Sequence, residues 1–111
     1  MSSEKEIEAE IQSKGLTAPR LTPQHIDEQI AGEYVTRASD AFTDVPVLDG
    51  LACLTICVLV LKNGYTIVGK SACASPANYD ADLGYKIARE DARRQIWALE
   101  GYALRSKLAA A

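Results

Sequence analysis

Histidine, methionine, tryptophan and phenylalanine each occur once in this chain. The single imidazole, His25, falls inside a predicted helix. Nothing in the sequence brings it to Cys73 or Ser75, the nucleophiles it would have to activate. It reads as an ordinary surface histidine. No Walker-type loop, GxGxxG or HExxH occurs, and Asp80, Asp82, Glu90 and Asp91 are spread around a helix as solubilising charges. No catalytic residue, metal or cofactor is expected.

Positive charge is also short. Twelve basic residues stand against fifteen acidic ones, a net charge of −3. Nucleic-acid binding needs clustered Lys and Arg to displace counterions, so a nucleic-acid partner is not expected. Arg89, Arg93 and Arg94 have spaced acidic partners on the same helix and read as a balanced solvated face. No long apolar run occurs. Leu51 to Leu61 contains Thr55 and is far shorter than the ~20 residues of a membrane span. The opening MSSEKEIEAE has neither the basic start nor the apolar segment of a secretory signal. A cytoplasmic setting without membrane contact follows as the expectation.

Three cysteines cannot all pair. Cys53 and Cys57 lie roughly 13 Å apart along one strand at ~3.3 Å per residue, too far for a shared disulfide or metal. Taking Asn63-Gly64 as a two-residue turn pairs Lys62 with Tyr65 and Leu54 with Cys73. That register sets Cys73 on the sheet face opposite Cys53 and Cys57. All three are expected as free, mostly buried thiols.

Residues 1–20 read as a flexible tail, with Glu4 to Lys14 able to form a short helix. Ile7 and Ile11 share its apolar side, Gly15 stops it, and a helix this short is marginal alone. Residues 21–111 read as one α+β domain. Thr22 caps a helix with Pro23 in its first position. This helix carries Ile26 and Ile30 and runs to Ala31, where Gly32 ends it. Glu33 to Phe42 reads as a strand and Asp44 to Gly50 as a loop. Ala52 to Lys62 and Tyr65 to Ala72 form a hairpin.

In the two-residue register, Leu54, Ile56, Val58 and Val60 stand opposite Ile67, Gly69, Ser71 and Cys73 as the better core face. Gly69 has no side chain, so a helix can approach there. The fold expected is a helix, a three-stranded antiparallel sheet with a central hairpin, and a long C-terminal helix packed on that sheet.

This last helix runs from Tyr79 or Asp80 to near Lys107. Ala81, Tyr85, Ala88, Ala92, Ile96, Leu99 and Ala103 form a small-residue stripe for the sheet. A second apolar stripe, Leu83, Ile87, Trp97, Gly101, Leu104 and Leu108, falls nearly opposite. Asp82, Arg89, Arg93, Glu100 and Lys107 form a solvated strip between them. One stripe suffices for a surface helix, so the second predicts a cover: a partner chain, most simply in a two-fold dimer, or else the first helix and the tail of the same chain.

SACASPANYD, residues 71–80, is the best candidate ligand site because it leads into a helix N-terminus. Asp80 or Asn78 can cap that end, and free N–H groups there favour anions. Ser71, Ser75 and Asn78 offer neutral donors, Tyr79 a stacking surface, and Lys70, Lys86 and Arg89 positive charge for phosphates. The competing reading is a plain capping loop.

The run NGYTIVGKSACASPANYDADLGYKIAREDARRQIWALEGYALRSKL resembles the C-terminal signature of a small phage and prophage family. That family is grouped after gene forty-nine of phage N-four and gene sixty-six of phage Sf-six. LTPQHIDEQI resembles its opening helix, so the resemblance covers roughly residues 21–108. Lys70 stands where the family pattern has an acidic residue, and Tyr79 where it has phenylalanine. The resemblance implies a phage-encoded, non-structural accessory protein in the host cytoplasm, with no catalytic residues to carry over.

The function expected is therefore a non-enzymatic host-takeover or anti-defence protein that binds and blocks a host component. That component is a host protein, or else a small phosphorylated, nucleotide-type signal held at residues 71–80. A third class is a small enzyme on such a ligand, using Cys73, Ser75 or Asp80.

Overall fold

The computed structural model describes residues 3–111. Helix α1 spans Glu4–Ser13, α2 Pro23–Glu28 and α3 Ala81–Ala110. Strands β1 (Ile30–Arg37), β2 (Leu54–Leu61) and β3 (Thr66–Ala72) form one antiparallel sheet in the order β1-β2-β3. The expected α+β architecture is present, with α3 packed along the sheet.

The helix starts follow side-chain capping. The Thr22 hydroxyl accepts from His25 N–H at 3.1 Å, with Pro23 next in line. The Asp80 carboxylate accepts from Leu83 N–H at 3.0 Å and opens α3. Each satisfies an N–H that the helix itself leaves free.

The hairpin corrects the expected register. Leu61 and Tyr65 close a three-residue loop, with Gly64 N–H donating to Leu61 O at 2.8 Å and Gly64 at φ +89°. The Asn63 side chain takes the Tyr65 N–H at 2.9 Å. This is a type I turn followed by a left-handed glycine. The register moves by one residue, so Leu54 pairs with Ala72 and Cys57 with Gly69. A one-residue slip exchanges the faces of a strand. Cys57, Leu59 and Leu61 therefore face α3, while Leu54, Ile56, Val58 and Val60 face away.

The β1 boundaries also differ from expectation. Helix α2 stops at Glu28, and Ile30 pairs with Leu61 instead of extending the helix. Because β2 runs to Leu61, the sheet offers Ile30 a ladder partner, and a bulge between Ile30 and Gly32 absorbs the misfit. The strand ends at Arg37, and Ala38–Ala41 forms a 3-10 turn.

The core joins Ile26, Cys57, Leu59, Leu61, Ile67, Ala88, Ala92 and Ile96. Ala88, Ala92 and Ile96 come from the stripe expected to meet the sheet. Gly69 lies directly under the backbone of Ala88 and Ala92, the close approach its missing side chain allows.

Segment 1–20, read as a tail, carries α1, which the domain holds by ion pairs. Glu4 binds Arg93 of the domain through two bonds of 2.8 Å; Glu8 binds Arg20 likewise within the segment, and Arg20 also donates to Leu21 O at 3.3 Å. Arg93, expected in a solvated strip, is 6% exposed and also donates to Asp27 at 2.7 Å. Its partners lie on α1 and α2, which sequence spacing along α3 does not reveal.

Candidate functional site

The residues of the candidate loop separate into two groups. Ser71, Asn78, Tyr79 and Asp80 line a cleft of about 150 Å³ at the start of α3, with Cys53, Cys73 and Leu83. The other four do not enter it. Ser75 caps its own turn, accepting from Ala77 N–H at 3.4 Å. Lys70 lies on the sheet face turned away from α3, opposite Ile56. Lys86 pairs with Asp82 at 3.1 Å in solvent. Arg89 binds Glu33, which also accepts from the Tyr85 hydroxyl at 2.6 Å.

Charge at the cleft is mixed, with Asp80 in its lining and Arg37 beside Tyr79. Asp80 is its ionisable carboxylate, and that group already caps α3. Tyr79 is occupied too: the Arg37 guanidinium stacks over its ring at 3.7 Å, and Arg37 Nε donates to Ala52 O at 2.7 Å. The volume equals about five waters at ~30 Å³ each. It is below the ~300–1,000 Å³ of small-molecule pockets.

Cys53 and Cys73 meet across the β2–β3 ladder, where Cys73 N–H donates to Cys53 O at 3.0 Å. The Cys73 thiol points at the carbonyls of Ser75 (3.2 Å) and Cys53 (3.5 Å). This reverses the expected separation of the two cysteines, again through the turn. Burial pushes the Cys53 thiol up, and the neighbouring Cys73 thiol adds to the shift. Burial likewise raises Cys57. All three are free.

On the β1 side, burial would raise the Glu33 carboxyl. The Tyr85 hydroxyl and the Arg89 guanidinium outweigh that effect and hold it below the usual range. His25 Nε2 lies 2.7 Å from Glu100, late in α3, whereas Cys73 lies by Leu83 and Ile87 at the helix start.

The second α3 stripe divides along its length. Trp97 is half-buried and packs against the core with Leu21. Gly101 faces Leu21, and Leu104 lines a recess with Leu21 and His25. An apolar groove of about 360 Å³ remains between Trp97 and Ile7 and Ile11 of α1. Leu83, Ile87 and Leu108 are exposed.

A broader surface was missed at the sequence level. The outer face of the sheet presents Leu54, Ile56, Val58 and Val60 at its centre, flanked by Tyr34 and Val68. Both α2 and α3 pack on the other face. Tyr34 is 62% exposed and Val68 57%. Lys70 is the one charged side chain that the paired strands place on this face. Three strands of ~8 residues cover roughly 350 Å² at strand spacing. That footprint also holds Thr36, Thr66 and Lys70, so its apolar part is the central row with Tyr34 and Val68. The usable signal was that β2 is apolar at both odd and even positions, as a strand covered on both faces is.

Residues 21–108 match the model of the Phage protein (N4 Gp49/phage Sf6 gene 66) family. The chain belongs to this family. No curated protein and no solved structure matches it. The family match takes in α2, the sheet and nearly all of α3, and therefore both the cleft and the outer face. Helix α1 lies outside it.

Proposed function

We propose that this phage-family protein is a non-enzymatic accessory protein of the host cytoplasm that binds and blocks a host component. Of the components considered, a host protein fits best, held on the outer face of the sheet. The observation behind this reading is the row Leu54, Ile56, Val58 and Val60, flanked by Tyr34 and Val68 on the sheet face opposite the core that α2 and α3 share.

Size weighs against a nucleotide-type signal. The cleft is too small for one, and Lys70, Lys86 and Arg89 point elsewhere. Burying an apolar face of a few hundred Å² contributes about 25 cal/mol per Å², a non-directional attraction suited to another protein surface.

Affinity capture from host lysate tests the proposal. The unaltered protein is expected to retain a host protein that Val68→Glu releases, with the variant's circular dichroism unchanged. Equal retention by both would remove the outer face from the account. Calorimetric heat with a cyclic or ADP-ribose-type nucleotide would instead support the small-ligand reading.

A further inference from the structure

The two edges of the sheet are treated differently. On β3, two of the outward backbone groups are taken up by α3 side chains. Lys70 N–H donates to Asp91 at 2.9 Å, and Val68 O accepts from Gln95 at 2.9 Å. Side chains laid over an edge in this way obstruct the pairing of another strand.

The β1 edge has no such cover at Glu33 and Val35; at Arg37 the C=O accepts from the Thr36 hydroxyl at 3.0 Å and keeps its second lone pair. Odd-numbered residues of β2 bond β3, as Leu61 N–H to Tyr65 O and Cys73 N–H to Cys53 O show. By the alternation of an antiparallel ladder, its even-numbered residues bond β1 at Gly32, Tyr34 and Thr36. The N–H and C=O groups of Glu33, Val35 and Arg37 therefore point outward. Among the described residues, neither Glu33 nor Val35 has a backbone partner there. Glu33, Tyr34 and Val35 are all exposed.

We infer that the open edge of β1 pairs antiparallel with β1 of a second copy, about a two-fold axis at Val35. Charge selects that register. Glu33 and Arg37 are equally spaced on either side of Val35, so the axis sets Glu33 of each chain opposite Arg37 of the other. An axis at Glu33 or at Arg37 sets like charges face to face, which destabilises a ladder. The Arg37 guanidinium has no carboxylate partner within its own chain among the described residues. Its one hydrogen bond uses Nε, which leaves the terminal nitrogens free to donate. Glu33 holds Tyr85 and Arg89 on one bond each, and a carboxylate has about four acceptor positions.

The pairing turns two three-stranded sheets into one of six strands. Their outer faces join into roughly 700 Å². That approaches the ~800 Å² per partner of a standard protein interface. Strand pairing does not depend on what binds this face, so it stands or falls separately from the host-protein reading.

Sedimentation and amide exchange on the unaltered protein test it. Glu33, Val35 and Arg37 amides are expected to be protected in a dimer, alongside Gly32, Tyr34 and Thr36. Val35→Pro removes the N–H at the axis on an edge strand, where proline is tolerated. It is expected to give a folded monomer with fast exchange at Glu33. A monomeric mass for the unaltered protein overturns the inference. So does a dimer that survives Val35→Pro, or one whose Val35 amide exchanges freely. If Val35→Pro fails to fold, the exchange pattern of the unaltered dimer decides.

Discussion

Gly69 of β3 lies against the backbone of Ala92 in α3, with no room between them for a methyl group. The contact sets the height of the long helix above the sheet, and with it the cleft at the helix start. Gly69→Ala is expected to push α3 outward and cost about 1–3 kcal/mol, as overpacking in a core does. Thermal denaturation followed by circular dichroism should show Tm lower by roughly 4–8 °C per kcal/mol. An unchanged Tm would mean that helix and sheet are not in register here.

Arg93 gathers Glu4, Asp27 and Glu90 around one buried guanidinium. Removing one partner of a buried pair costs about 3–5 kcal/mol. These carboxylates are 39–59% exposed and regain water. Arg93→Met is therefore expected to cost less, about 1–2 kcal/mol. Its specific signature is release of α1, read as faster amide exchange over residues 4–13 than over β2. Equal loosening of both would show α1 to be held by something else.

Acid should release the same helix. The hydrogen bond from Arg20, with help from Gln12, lowers the Glu8 carboxyl from 4.5 to about 2. A depressed folded-state pKa adds stability above the unfolded value and loses it as pH falls through the folded one. The α1 attachment should therefore weaken between about pH 4.5 and about pH 2. Arg20→Gln should return Glu8 to the ordinary carboxylate range in an NMR titration. A Glu8 titration near 4.5 in the unaltered protein would contradict the pair.

The cysteines test the hairpin register. Cys53 and Cys73 face each other on the ladder, at a spacing of about 5.5 Å between α-carbons, within disulfide range. Mild oxidation with diamide is expected to join Cys53 to Cys73 and leave Cys57 free, as peptide mapping would show. The two-residue turn forbids that product, because it places Cys53 and Cys73 on opposite faces.

Side chains acting within a few residues of themselves were readable in advance. Thr22, Pro23 and Asp80 marked helix starts, Gly15 ended α1, and the Ala88–Ala92–Ile96 spacing identified the sheet side of α3. The turn was not readable to the residue. Asn63-Gly64 fits both a two-residue and a three-residue loop, and β2 is apolar on both faces, so periodicity could not choose between them. One residue at Gly64 then decided which half of β2 became core and whether Cys73 met Cys53. The partners of Arg93 and Arg89 lie on α1, α2 and β1, a tertiary pairing that spacing along α3 does not encode. For the candidate loop, adjacency in sequence put Lys70, Lys86 and Arg89 near the cleft, and side-chain direction took them away.

Photo-crosslinking in host cells addresses the binding surface itself. Val68→benzoylphenylalanine places the probe on the outer face, and Tyr102→benzoylphenylalanine places it on exposed α3, where Tyr102 is 79% exposed. A discrete host-protein adduct from position 68 and none from position 102 is the predicted result. Adducts from position 102 alone, or none from position 68 in cells where the protein is abundant, would contradict binding through the outer face of the sheet.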